Sequence, residues 1–118
     1  MVCHANSLHH QPSNHEPSGT MKDIPGLEKS DLPAMIDFYA DWCTPCRILD
    51  GILEEVKQKV DGKAHILKVD IEKHPEVAES FGVKSVPTLV IIRSDEEKWR
   101  MAGFMMADDL VNEIMKHA

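Results

Sequence analysis

The sequence predicts an α/β domain in which a buried central strand hands two cysteines to the first turn of a helix. Three observations predict it. Ala34 to Ala40 (Ala-Met-Ile-Asp-Phe-Tyr-Ala) is a short, nearly continuous apolar run, as in a strand covered on both faces. From Thr44 to Val60 the apolar residues recur at helical spacing. The remainder reads as strand, helix, strand, strand, helix, so the whole order is β-α-β-α-β-β-α around a mixed sheet.

Taken in order, residues 1–22 are polar, contain Pro12, Pro17 and Gly19, and show no periodicity. They are expected to form a disordered tail, with residues 23–118 as the folded domain. His4, His9, His10 and His15 lie in this tail beside Cys3. A metal-binding arm is one reading of such a cluster; an unstructured leader is the expectation. Residues 23–33 are a connector, with a turn at Pro25-Gly26 and a short helical piece capped by Ser30 or Asp31.

The central strand carries Asp37. A carboxylate in the middle of a buried strand is unfavourable unless it is paired or stays protonated. Its position six residues before Cys43 suits a role in proton transfer. In the helix that follows, Ile48, Leu49, Ile52, Leu53, Val56 and Val60 form one apolar stripe, and Glu54, Glu55, Lys57 and Lys59 form the wet face. Gly51 is expected to mark a bend or close packing, since glycine inside a helix is about 0.5–1 kcal/mol less favourable than alanine. Asp61-Gly62 ends the helix.

Ala64 to Asp70 is the second strand and His74 to Phe81 a short helix, with Pro75 in its first turn and Gly82 as its stop. A strand, helix, strand order implies a right-handed parallel crossover. Thr88 to Arg93 is the third strand; Ser94 to Glu97 is a charged turn, and Lys98 to Ala102 pairs back as an antiparallel edge ended by Gly103. Ala107 to His117 closes the chain as an amphipathic helix with Leu110, Val111 and Ile114 inward; Asp108 and Asp109 suit its positive N-terminal end.

The chemistry sits at Cys43-Thr44-Pro45-Cys46. Positions i and i+3 on one helical turn are neighbours, so the sulfurs can form and break a disulfide with a small local adjustment. A helix starting near Cys43 points its unpaired N–H groups at that sulfur and favours the thiolate. Cys43 is therefore the expected nucleophile, reachable from solvent, and Cys46, one turn further in, the resolving thiol. Pro45 has its φ preset for the first turn. Zinc is a weak alternative: two cysteines are half a tetrahedral site, and no second pair stands at zinc-finger spacing.

Composition removes other classes. The chain has 118 residues, enough for one small domain with a real core. A net charge of −7 argues against nucleic acid or an anionic membrane as partner. No run approaches the roughly 20 apolar residues of a membrane span. The first residues lack the apolar core of a signal peptide. The expected location is the cytoplasm, the alternative being export with a signal already removed. The glycines form no phosphate-binding loop, so no nucleotide cofactor is expected.

Several stretches together resemble the thioredoxin family. Asp37-Phe38-Tyr39-Ala40-Asp41-Trp42-Cys43-Thr44-Pro45-Cys46 looks like its active-site strand and loop, Lys68-Val69-Asp70-Ile71 like its second core strand, Val86-Pro87-Thr88 like its cis-proline loop, and Gly103 like the glycine beside that loop. The resemblance runs from Ala34 to the C-terminus. It implies a thioredoxin fold, here lacking the family's first strand and so reduced to four strands. It implies a monomeric protein-disulfide reductase that binds no cofactor and takes electrons from a thioredoxin reductase or equivalent donor.

It further implies a cis Pro87 and a client held along the Val86 backbone. Trp42, Thr44, Pro45, Ile71, Ala102, Gly103 and Phe104 are implied as the contact surface. Asp37 is implied as the base for Cys46, and Lys68 as the neighbour that modulates Asp37. The same chemistry run as an exported oxidase, isomerase or maturation reductant is the alternative. Thr44 stands where the family has glycine, Gly51 where it has proline, and Phe104, expected to narrow the groove, where a small residue is usual.

Overall fold

Residues 3–4 and 31–118 are described by the structure, a computed structural model. The remainder of the expected tail and the connector up to Ser30 lie outside the described residues. In chain order the elements are β1 (Cys3–His4), β2 (Ala34–Tyr39), α1 (Thr44–Lys59), β3 (His65–Asp70), α2 (Pro75–Ser80), β4 (Ser85–Val86), β5 (Thr88–Arg93), β6 (Glu96–Ala102) and α3 (Ala107–Met115).

Four strands form the main sheet in the order β3-β2-β5-β6. β2 pairs parallel with β3 and antiparallel with β5, and β6 pairs antiparallel with β5. β1 and β4 make a separate antiparallel pair, Cys3 opposite Val86 and His4 opposite Ser85. β1 belongs to the segment that the sequence presents as a polar tail.

The pleat of the two inner strands divides the core. Ala34, Ile36 and Phe38 of β2, with Val90 and Ile92 of β5, face a cluster that includes Val77 and Ala78 of α2. Met35, Leu89 and Ile91 face the opposite cluster, closed by Leu49, Leu53 and Val56 of α1 and by Leu110 and Ile114 of α3. The near-continuous apolar character of β2 follows from this two-sided cover.

Three expectations need correction. Ile48 is 53% exposed and outside the core stripe. α1 buries the face at Leu49, Leu53 and Val56, and a residue one step back lies about 100° around the helix. β6 begins at Glu96, two residues early, because Ser94 and Asp95 both take positive φ (55° and 65°) and close the hairpin in two residues. Gly51 is exposed, with nothing near the position a Cβ would take, inside an unbroken helix of 16 residues. It does not mark close packing.

Gly51→Ala is therefore expected to stabilise the protein by about 0.5–1 kcal/mol through helix propensity alone. Urea denaturation at neutral pH checks this; a lower midpoint would mean that the glycine serves local packing after all.

Candidate active site

The site is built where β2 runs out and α1 begins. The Cys43 N–H donates to Ala40 O at 3.1 Å, closing a turn that sets Cys43 as the N-cap of α1, with φ −92° and ψ 112°. Its Sγ accepts the Cys46 N–H at 3.3 Å, one of the helix's otherwise unpaired donors. Pro45 occupies the first turn. The Cα atoms of Cys43 and Cys46 are 5.3 Å apart and the two residues are disulfide-bonded. Cys43 is fully buried and Cys46 is 3% exposed. The expectation of a Cys43 open to solvent is therefore corrected. The residue is enclosed in the α2-side cluster, where Cys46, Ile71 and Val86 also lie.

Across from the disulfide, the Val86–Pro87 peptide is cis. Gly103, at φ 110°, donates its N–H to Pro87 O at 2.8 Å, and Thr88 Oγ1 donates to Ser85 O at 2.7 Å. Trp42 is 46% exposed, and its Nε1–H donates to Glu72 Oε2 at 2.9 Å. Asp70 Oδ1 accepts the Glu72 and Lys73 N–H groups at 2.8 and 3.3 Å, shaping the loop that presents Glu72.

The structure therefore gathers Trp42, Thr44, Pro45, Val86, Pro87, Ala102 and Gly103 around the cysteines or the loop opposite them. Thr44 and Ala102 are exposed, and Pro45, Val86 and Gly103 are buried. The remaining two implied surface residues are Ile71 and Phe104. Ile71 is fully buried; its N–H bonds to Tyr39 O at 2.9 Å, which carries the chain on beside β2 and turns the side chain into the core. Phe104 is half-buried and packs against the α1 and α3 cluster.

Asp37 is fully buried, and neither carboxylate oxygen has a hydrogen-bond partner among the described residues. Burial in apolar surroundings lifts its pKa from 3.8 to about 7, against the opposing pull of Lys68 and with a push from Asp50. Asp37 and Lys68 are register partners across β2 and β3. The Lys68 ammonium, however, is engaged by Asp50 at 2.6 Å and lies 4.5 Å from the centre of the Tyr39 ring.

Sequence reasoning missed Asp50 and Glu72. Asp50 carried a usable signal, since it stands four residues after Cys46 on the same side of α1. Glu72 carried none, because its partner Trp42 is 30 residues away. Among the described residues no group of three or more metal-ligating side chains occurs, and no helix is long and apolar enough to cross a membrane.

Comparison with known proteins agrees with this geometry. The Thioredoxin family model matches residues 25–116. A thioredoxin of Rickettsia bellii is 37% identical over 86 residues, covering 73% of this chain and 82% of the relative. A thioredoxin of Staphylococcus saprophyticus is 40% identical over 83 residues, covering 70% and 80%. A mutant thioredoxin structure from Halobacterium salinarum superposes with a TM-score of 0.66 at 32% identity, covering 72% of this chain and 74% of that one.

The Asp37 carboxyl makes stability depend on pH with a definite sign. Its folded pKa is about 7 and its reference value 3.8. Between the two, the folded state holds a proton that the unfolded state has lost. Stability is therefore expected to fall as pH rises from about 4 to about 7 and then to level off, the total loss being on the order of 2–4 kcal/mol. Asp37→Asn should remove that share of the slope and be the more stable protein at pH 8. Urea denaturation of the oxidised protein from pH 4 to 8.5 checks this; parallel curves for the two proteins would refute it.

Proposed function

Proceeding from the premise that this chain belongs to the thioredoxin family and is a protein-disulfide reductase working through Cys43 and Cys46, we propose a role for each residue around that pair. The observation that carries the assignment is the N-cap position of Cys43, whose sulfur faces a peptide N–H at the start of α1. That donor and the helix dipole favour the Cys43 thiolate.

The thiolate attacks one sulfur of a client disulfide. A Cys43–client disulfide forms and the client's other sulfur leaves as a thiolate. Cys46 then gives its proton to the Asp37 carboxylate and attacks the Cys43 sulfur. The Cys43–Cys46 disulfide forms, and the client's second sulfur leaves reduced. Two electrons have moved from the dithiol to the client.

Asp37 suits the proton transfer because a base with a pKa of about 7 accepts a proton near neutrality and releases it again. Its placement supports the role: pleat alternation with Met35 puts its side chain on the sheet face covered by α1, the helix whose first turn holds Cys46. Lys68 modulates Asp37 from the neighbouring strand.

The client lies along Val86 and Pro87, with Trp42, Thr44, Pro45, Ala102 and Gly103 around it. Ile71 supports this surface from beneath. Electrons come from a thioredoxin reductase or an equivalent donor, in the cytoplasm, and the protein acts as a monomer. The curated relatives support this reducing direction over that of an exported oxidase.

Cys43→Ser is expected to abolish insulin-disulfide reduction. Cys46→Ser is expected to stop at a client adduct on Cys43, seen by mass spectrometry as a mixed disulfide. A Cys43→Ser protein as fast as wild type, or an adduct on Cys46, would defeat the assignment.

A further inference from the structure

Asp50 is not among the residues assigned above, yet it holds the cation nearest in register to Asp37. Asp37 and Lys68 are Cα partners on parallel strands, so both side chains leave the sheet on the α1 face. There the Lys68 ammonium has two anionic groups to choose between. The buried Asp37 carboxyl has no hydrogen-bond partner, while Asp50 Oδ1 receives the Lys68 bond at 2.6 Å. The pair stands at a surface cavity of about 390 Å³ that Gly51, Glu54 and Lys57 also line. We infer that Asp50 is a positioning residue for proton transfer at Asp37: it holds the Lys68 ammonium at the cavity mouth and denies the buried carboxyl a close cation.

The inference rests on the Asp37 role proposed above. The groups facing Asp37 are Lys68 from β3, Asp50 from α1 and Tyr39 two residues along its own strand; its β5 partner, Leu89, is apolar. Asp50 acts on Asp37 twice with one sign. Its own charge opposes ionisation of Asp37, and its hydrogen bond to Lys68 limits how far that cation, which does pull Asp37 down, can favour it. Lys68 has the corresponding shift: its pKa is raised against its own desolvation, chiefly by the Asp50 hydrogen bond.

The test uses the full chain and two readouts. The carboxyl carbon of Asp37 is titrated by NMR in the oxidised protein, and the resolution of a client adduct is timed against pH. Asp50→Asn should move the Asp37 midpoint about one pH unit toward acid. Asp50→Glu should keep it, and in a Lys68→Met background Asp50→Asn should move it less than half as far. No movement, or equal movement in both backgrounds, overturns the inference. A titration that moves while the kinetic profile stays supports the positioning by Asp50 and removes Asp37 from the proton transfer.

An independent observation carries a second inference. β1 pairs with β4 through Cys3–Val86 and His4–Ser85, at the residue before the cis proline, while Cys43 is shut from solvent in the cluster that holds Val86. The geometry points to a self-docked strand: residues 3–4 occupy the main-chain edge that the proposed function assigns to the client, and a client must displace them. Strand addition of this kind works through backbone hydrogen bonds. A covalent tether makes it intramolecular, with an effective concentration of order mM.

Two full-length double variants test it, both lacking Cys3. Cys3→Pro with His4→Pro removes the two N–H groups; Cys3→Ser with His4→Ala keeps them. The rate at which dithiothreitol reduces the Cys43–Cys46 disulfide should rise about fivefold in the proline variant, the factor that one or two lost hydrogen bonds give, and stay at the wild-type value in the other. Equal rates in all three proteins, or equal acceleration in both variants, overturn it. If reduction by dithiothreitol accelerates but insulin reduction does not, the self-docked strand stands and the client edge lies elsewhere.

Discussion

The site depends on one constraint: a carboxyl that the fold does not allow to reach water. β2 is hydrogen-bonded on both sides and covered on both faces, so each of its side chains is committed to a cluster. Asp37 sits among them with Lys68 on one flank and Leu89 on the other. Slipping the strand by one residue would only move Asp37 to the other apolar face, and would exchange the two apolar sets of the whole sheet. The packing of Met35, Ile36 and Phe38 therefore enforces the burial of Asp37. The carboxyl responds in the one way open to it, by holding its proton to near neutral pH.

The same strand end supplies the second ingredient. Because β2 stops at Tyr39 and the Cys43 N–H closes a turn onto Ala40, α1 starts on the sulfur of Cys43 and not on a later residue. The two thiols then receive opposite treatment from one helix. Cys43 faces a peptide N–H and the positive end of α1. Cys46 lies inside the first turn, on the helix that covers Asp37. The roles proposed for the two thiols thus differ by position along α1 and need no difference in side-chain type.

Much of this is legible in the residues. Both ends of α1 follow from local chemistry: Pro45 is preset for a first turn, and Asp61-Gly62 cannot continue a helix. The continuous apolar run of β2 marks Asp37 as an anomaly through residue order alone. What residue order does not carry is whatever depends on three-dimensional register. Ile48 fits a helical stripe as well as Leu49 does, and only the placement of α1 on the sheet separates them. The choice of Lys68 between Asp37 and Asp50 is a matter of reach across two elements. Nor does residue order say that Ile71 is enclosed beside Cys43, Cys46 and Val86, or that Phe104 packs against the α1 and α3 cluster.

Exclusion of water couples access to chemistry. Cys43 and Asp37 are both fully buried. The low local dielectric that strengthens the N–H to sulfur contact at the helix start is the same one that raises Asp37. An opening wide enough to admit a client disulfide lets water reach both groups, and water would weaken the first effect and relax the second. The two are restored together only if the arriving chain covers the site again. An extended client segment laid against Val86, as proposed, would do this with main-chain hydrogen bonds, independent of its side chains. On the roles proposed above, a broad range of client sequences is compatible with Asp37 as a proton acceptor that works only when dry, because the cover is made by backbone, which every client has.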